Sequence, residues 1–310
     1  MSGARRETGT IPGSASLLWV SVRVLIVTLA ACGLLGAQDF SDYKILKIAA
    51  GYTFTEGPAW SRDGYLLFSD IPAAKIWKFI PGVEKPELFR ADSNGANGNA
   101  FDRKGRLYTC EGRGRRLIRM DKKGRVEVLL DRWEGKRLNA PNDVVVRRDG
   151  HVYFTDPAFG RAQDTRELDF YGVYHITPKG EAELIARPEG RPNGIGLSPD
   201  GRILYVSNTD ERRLYAYDLD GKGRASNERV LIEGIDGPPD GIAVDEKGNI
   251  YIAANGLAIY SPAGELVHTM ELAERPSNCA FGGPDLSILF ITARTSVYAV
   301  RLGVKGALQY

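Results

Sequence analysis

The sequence predicts an all-β chain folded as a six-bladed β-propeller, and three observations lead there. Six short phrases set a polar residue at a matching point: Glu56-Gly57-Pro58, Asn97-Gly98-Asn99, Asn142-Asp143-Val144, Asn193-Gly194-Ile195, Asp240-Gly241-Ile242 and Asn278-Cys279-Ala280. Their leading residues are separated by 41, 45, 51, 47 and 38 positions, the period of a four-stranded blade. A glycine follows eight residues after each of the first five, at Gly64, Gly105, Gly150, Gly201 and Gly248, so the phase survives the first strand and its turn.

Taken in order, the elements support the repeat. Tyr43 to Ile48 reads as a strand with no blade of its own. The outer strands that close successive blades are Glu87 to Arg90, Val126 to Leu130, Glu183 to Ala186, Arg229 to Ile232 and Leu266 to Leu272. In the fourth repeat Gly194 to Leu197 meets the turn Ser198-Pro199-Asp200-Gly201, followed by Ile203 to Ser207 and Arg213 to Asp218. The fifth repeats this with Ile242 to Val244, Asp245-Glu246-Lys247-Gly248, Ile250 to Ala253 and Ala258 to Tyr260. The sixth has Cys279 to Phe281, Ile288 to Ile291 and Val297 to Leu302, and lacks a fourth strand. Pairing Tyr43 to Ile48 into that blade closes the ring and covers its open edge. Beyond Leu35 no segment carries a helical period. Two polar insertions, Arg132 to Ala140 and Ala158 to Tyr171, read either as solvated loops or as a cap over a binding mouth.

One ring of six blades occupies residues 38–310 as a single domain. Residues 1–37 read as an export signal, with Arg5, Arg6 and Arg23 ahead of the apolar run Val24 to Leu35 and small residues before Gln38. Leu29-Ala30-Ala31-Cys32 also fits a lipoprotein cleavage box that would tether the chain through Cys32, and an uncleaved anchor is the third reading. The expected location is periplasmic or secreted, with any membrane contact made through the signal or a lipid. Without that segment the chain carries 38 basic and 38 acidic residues, a neutral body that gives no electrostatic footprint for nucleic acid. Cys110 and Cys279 stand in different blades with no CxxC spacing, and read as buried small apolar residues, a disulfide remaining open.

The first strand of a blade lines the central channel, so the six leading residues converge at one mouth: Glu56, Asn97, Asn142, Asn193, Asp240 and Asn278. Two carboxylates among amide oxygens, with no His or Cys, suit one hard divalent cation. Calcium is the first choice, and magnesium, manganese or zinc fit the same donors. A cation also removes the repulsion between Glu56 and Asp240. Hairpin return brings Asp70, Glu111, Asp156, Ser207, Ala254 and Thr292 back to that mouth, fourteen residues on. Their acids either orient the donors or cap strand ends and pair with arginines. His151, His175 and His268 fall away from the mouth, and no Gly-x-Ser-x-Gly elbow or His-Glu-x-x-His helix occurs.

These phrases, with Glu56-Gly57-Pro58-Ala59-Trp60, Asn139-Ala140-Pro141-Asn142-Asp143, Phe154-Thr155-Asp156-Pro157, Arg191-Pro192-Asn193-Gly194, Pro239-Asp240-Gly241 and Phe281-Gly282-Gly283-Pro284, resemble the senescence-marker-protein-30/gluconolactonase/luciferin-regenerating-enzyme family. The resemblance implies a six-bladed propeller with one divalent metal in its channel. It implies Glu56, Asn193 and Asp240 as metal ligands, Asn142 as a ligand or substrate contact, and Asp240 as general base. The implied activity is hydrolysis of a sugar lactone or related ester, with Asn142 and Asn97 on substrate hydroxyls. Ala140 replaces an arginine of some sugar lactonases, and Gly112 stands where many relatives carry histidine, so the substrate stays open. Aryl-ester or organophosphate cleavage at the same metal is an alternative. Segments such as Gly241-Ile242-Ala243-Val244-Asp245 also look like NHL repeats, which would make the ring a binding platform.

Overall fold

The computed structural model describes residue 40 and residues 43–307. The segment expected to direct export, with Cys32, lies outside the described residues. Six four-stranded antiparallel sheets follow one another along the chain, each built outward from its innermost strand. The inner strands are Thr55–Ser61, Ala96–Phe101, Val144–Val146, Pro192–Leu197, Ile242–Val244 and Pro276–Gly282. In the sixth sheet the fourth strand comes from the other end of the chain: Ile45–Ala50 pairs antiparallel with Ser296–Arg301, Ile45 opposite Val300 and Ala50 opposite Ser296. The ring therefore closes as expected, on a strand set two residues later than Tyr43 to Ile48.

Burial grades from axis to rim. The second strands Leu107–Glu111 and Val152–Asp156 are buried throughout, since both faces pack on neighbouring blades. Outer strands face water, and Leu266 in the outer strand of blade five is 60% exposed. Apolar contacts bridge blades: the Trp60 ring of blade one stacks on Phe290 of blade six, centroids 5.4 Å apart. Each such side chain, when fully buried, contributes roughly 1.5–3 kcal/mol. Cys110 and Cys279 are buried free thiols, which answers the disulfide question.

The two insertions acquire structure of their own. Arg132–Trp133 pairs with Lys136–Arg137 as a small hairpin. The second carries a single helical turn, Arg161–Asp164, the one departure from β and turn structure among the described residues. Its four residues are too few to produce a readable helical period.

Candidate active site

Five of the expected residues meet. Glu56, Asn97, Asn142, Asn193 and Asp240 line one cavity of about 460 Å³ at a single mouth of the channel. Each belongs to a different blade, at or just ahead of an inner strand. The backbone there is locked from blade to blade. The hydroxyls of Ser69, Thr155 and Ser207 donate to the carbonyls of Asn97, Asn193 and Asp240 in the next blade, at 2.7, 2.7 and 2.8 Å. The N–H groups of Gly98 and Gly194 donate in the same sense to the carbonyls of Asn142 and Asp240.

The sixth expected residue is corrected by that same pattern. Gly241 N–H donates to the carbonyl of Ser277, so Ser277 and not Asn278 occupies the sixth ring position. Asn278 stands one residue further along, on the level of Gly57, Gly98, Asp143, Gly194 and Gly241. The Asn-first phrase misled because one residue of register turns a strand side chain to the other face. The signal lay in proline: Pro141, Pro192, Pro239 and Pro276 each precede the ring residue directly. The fourteen-residue return is corrected likewise. Asp70 and Glu111 pair with Thr55 and Ala96, but Asn208 and Ala293 hold the matching places opposite Pro192 and Pro276. Ser207 and Thr292 stop one residue short, because their inner hairpins are longer.

Asp143 is a residue of the mouth that sequence reasoning did not single out. With Asn278 it fills the level beneath the ring, where the other four blades carry glycine. The space is needed: a Cβ on Gly98 would stand 2.6 Å from the Asp143 Cα. Asn278 Nδ2 donates to Glu56 Oε2 at 3.0 Å and to Asp143 Oδ2 at 3.4 Å. Below this level the channel narrows to an apolar cavity of about 160 Å³ whose walls include Trp60, Phe101, Ile195 and Phe281.

Electrostatically the mouth is under stress. Burial drives the Glu56 carboxyl well above the usual range, and the nearby charges of Asp240 and Asp143 push it further. Asp143 is pushed up to about 6 by burial, held back by the N–H groups of Val144 and Ile195 and by the Asn278 amide. Asp240 reaches about 7, again through burial first, although Arg275 and Arg294 pull it down. Asn97 Oδ1 and Asn193 Oδ1 are buried without any hydrogen-bond donor. Among the described residues no three or more His, Cys, Asp or Glu form a cluster suited to a metal; the mouth presents the carboxylates of Glu56 and Asp240 with the amides of Asn97, Asn142 and Asn193.

The returning acids have separate tasks. Asp70 accepts the N–H groups of Thr53 and Phe54, and Asp156 those of Asn139 and Ala140, so both clamp the loop that delivers a ring residue. Glu111 is instead taken up by Arg90 and Arg116, each at 2.6 Å. The histidines are elsewhere: His151 Nδ1 faces His175 Nε2 at 2.7 Å, and His268 Nε2 meets the Tyr43 hydroxyl at 3.1 Å. Phe159, Arg161 and Ala162 from the second insertion form part of the cavity wall, so that insertion contributes to the mouth.

Residues 54–295 match the SMP-30/Gluconolactonase/LRE-like region. The chain belongs to that family. Within it, the gluconolactonase of Zymomonas mobilis is 33% identical over 285 residues, which covers 82% of this chain and 80% of that protein. The pentonolactonase of Haloferax volcanii is 28% identical over 253 residues, 76% of this chain and 80% of the relative. A solved gluconolactonase from Xanthomonas campestris shares the fold with a TM-score of 0.79 at 32% identity, over 86% of this chain and 92% of its own.

Proposed function

We propose that this protein is a metal-dependent hydrolase that opens a sugar lactone or a related cyclic ester. The activities named for its family relatives support a lactone as substrate. The observation that carries the metal is the meeting of two mutually repelling carboxylates, Glu56 and Asp240, with the unpartnered amide oxygen of Asn193. Leaving such an oxygen buried and unpaired costs about 1–3 kcal/mol, which a cation would offset, as a substrate hydroxyl would for the unpartnered oxygen of Asn97. Hard oxygen donors fit calcium first, with magnesium, manganese or zinc as further occupants. Glu56, Asn193 and Asp240 would hold it, with Asn142 as a fourth ligand or as a substrate contact. Bound there, a divalent cation supplies Lewis acidity for a carbonyl oxygen and its developing negative charge.

Asp240 serves as the general base. It takes a proton from water as the water oxygen bonds to the lactone carbonyl carbon; the ring C–O bond then breaks. The same proton passes to the departing alkoxide, giving the hydroxy acid. Asn142 and Asn97 hold substrate hydroxyls, while Asp156 keeps the Asn139–Ala140 backbone in place. Chelator-treated protein reconstituted with each metal, assayed on aldonolactones, phenyl acetate and a phosphotriester, tests the reading. Asp240→Asn is expected to lower kcat by about 10²–10⁴-fold. Unchanged hydrolysis in that variant rejects the base assignment, and full activity without metal rejects the cation.

The arginine-flanked apolar run near the N-terminus supports export to the periplasm or beyond, with Cys32 as a point of lipid attachment in the alternative. The N-terminal residue of the mature protein distinguishes the two.

A further inference from the structure

Two arginines stand in the wall of the mouth with no carboxylate opposite them. Arg113 lies in the turn between Leu107–Glu111 and Arg116–Met120, and Arg161 opens the helical turn of the blade-three insertion. Both line the cavity that holds Glu56 and Asp240. Arg113 donates to the carbonyl of Pro72 at 3.3 Å, a contact that leaves its charge unneutralised. Among the described residues, the Arg161 side chain makes no hydrogen bond and no ion pair. Both arginines are exposed and reach the mouth from separate blades.

Neighbouring arginines are engaged or stand outside the cavity wall: Arg294 lies over the Phe54 ring, 5.5 Å from its centroid, and does not line the cavity. Arg191 is paired with Asp210, Nε to Oδ2 at 2.9 Å, and lies 4.6 Å over the Phe159 ring. Arg275 donates to the carbonyls of Ala254 and Pro238 at 3.0 and 2.9 Å. Arg90 and Arg116 are consumed by Glu111. The two carboxylates of the cavity, Glu56 and Asp240, are the groups the proposed cation would neutralise. That leaves a wall with two uncommitted guanidinium groups and no anion to meet them. A neutral sugar needs only hydrogen-bonding groups there, whereas planar guanidinium forks match carboxylate, phosphate or sulfonate oxygens in pairs.

We propose that the substrate is an anionic lactone, whose charged group, remote from the carbonyl, is bound between Arg113 and Arg161. This rests on the lactone reading above. Initial rates are compared for glucono-δ-lactone, for a glucarolactone carrying a carboxylate and for 6-phosphoglucono-δ-lactone, which separates the two sources of charge. One anionic lactone is expected to exceed the neutral one in kcat/KM by about tenfold or more at low salt, with the advantage shrinking as ionic strength rises. Arg113→Ala and Arg161→Ala are expected to cut that anionic-to-neutral ratio by about 10–100-fold, chiefly through KM, and Arg→Lys to restore part of it. Equal ratios in wild type and both variants overturn the proposal.

Calorimetric binding of gluconate, glucarate and 6-phosphogluconate keeps the two readings apart. Arginine-dependent preference for glucarate or 6-phosphogluconate over gluconate without any lactone hydrolysis would preserve this site and reject the hydrolase. Hydrolysis with no arginine-dependent preference does the reverse.

Discussion

Asn278 Nδ2 lies between two buried acids, 3.0 Å from Glu56 Oε2 and 3.4 Å from Asp143 Oδ2. Its amide oxygen accepts the Cys279 N–H at 2.8 Å, which fixes the amide with its donors toward the carboxylates. One neutral side chain thus orients the Glu56 carboxylate from behind, while Gly57 N–H holds the same oxygen from the side at 2.7 Å. Replacing this amide by an apolar group of similar size, Asn278→Leu, leaves Glu56 and Asp143 facing each other without the shared donor. Calcium affinity measured by calorimetry is expected to fall by about 10–100-fold. Retention of wild-type affinity would remove Asn278 from the support of the site.

The acids of the mouth also set a pH dependence whose sign follows from their shifts. Asp143 stands at about 6, Asp240 and Asp156 at about 7, and Glu56 is raised as well, against ordinary values near 4. Between those limits the folded, metal-free chain binds more protons than the unfolded chain, so its stability falls as pH rises. In chelator the Tm is expected to decline from about pH 4.5 to pH 7.5. If calcium binds as proposed, saturating calcium should reverse or flatten that slope, because it would replace the protons at Glu56 and Asp240. A Tm that rises with pH in chelator would contradict the assignment of these carboxyls.

The glycine level beneath the ring is a packing requirement at the axis. A Cβ on Gly241 would meet the Asn278 amide, its Nδ2 at 2.5 Å. Gly241→Ala is expected to displace that amide, destabilise the protein by about 1–3 kcal/mol as overpacking does, and weaken calcium binding in parallel. Denaturant unfolding with and without calcium measures both effects. A stable Gly241→Ala protein with unaltered calcium affinity would show that the axis has slack.

Closure of the ring supplies another test. Glu274, ahead of the inner strand of blade six, accepts hydrogen bonds from Lys47 Nζ, Thr295 N–H and the Tyr298 hydroxyl at 3.1, 2.9 and 3.0 Å. It ties the N-terminal strand to the last hairpin. Glu274→Ala is expected to lower stability by about 1–3 kcal/mol. Removing residues through Ala50 uncovers the Ser296–Arg301 edge and should give aggregation or loss of the cooperative transition. Cooperative unfolding of a soluble truncated ring would refute closure as a stability element.

The repeat itself was legible from Glu56 to Asp240, because each blade must return a strand to the axis after a similar length of chain. That periodicity, with turn glycines in phase, determines the propeller and the mouth at which Glu56, Asn97, Asn142, Asn193 and Asp240 meet. The closing strand was legible for a related reason, since the last blade lacked one. What only the tertiary structure decided is register and filling. Ser277 displaces Asn278 from the ring by one residue, and a bulge of that size depends on pairing across the sheet, which no local spacing encodes. Asp143 gained its place because four other blades left room at the axis, and Arg113 and Arg161 became neighbours of the site through loops of unrelated length. Linear order carries the period of a fold; which side chains share a cavity depends on contacts between segments far apart in the chain.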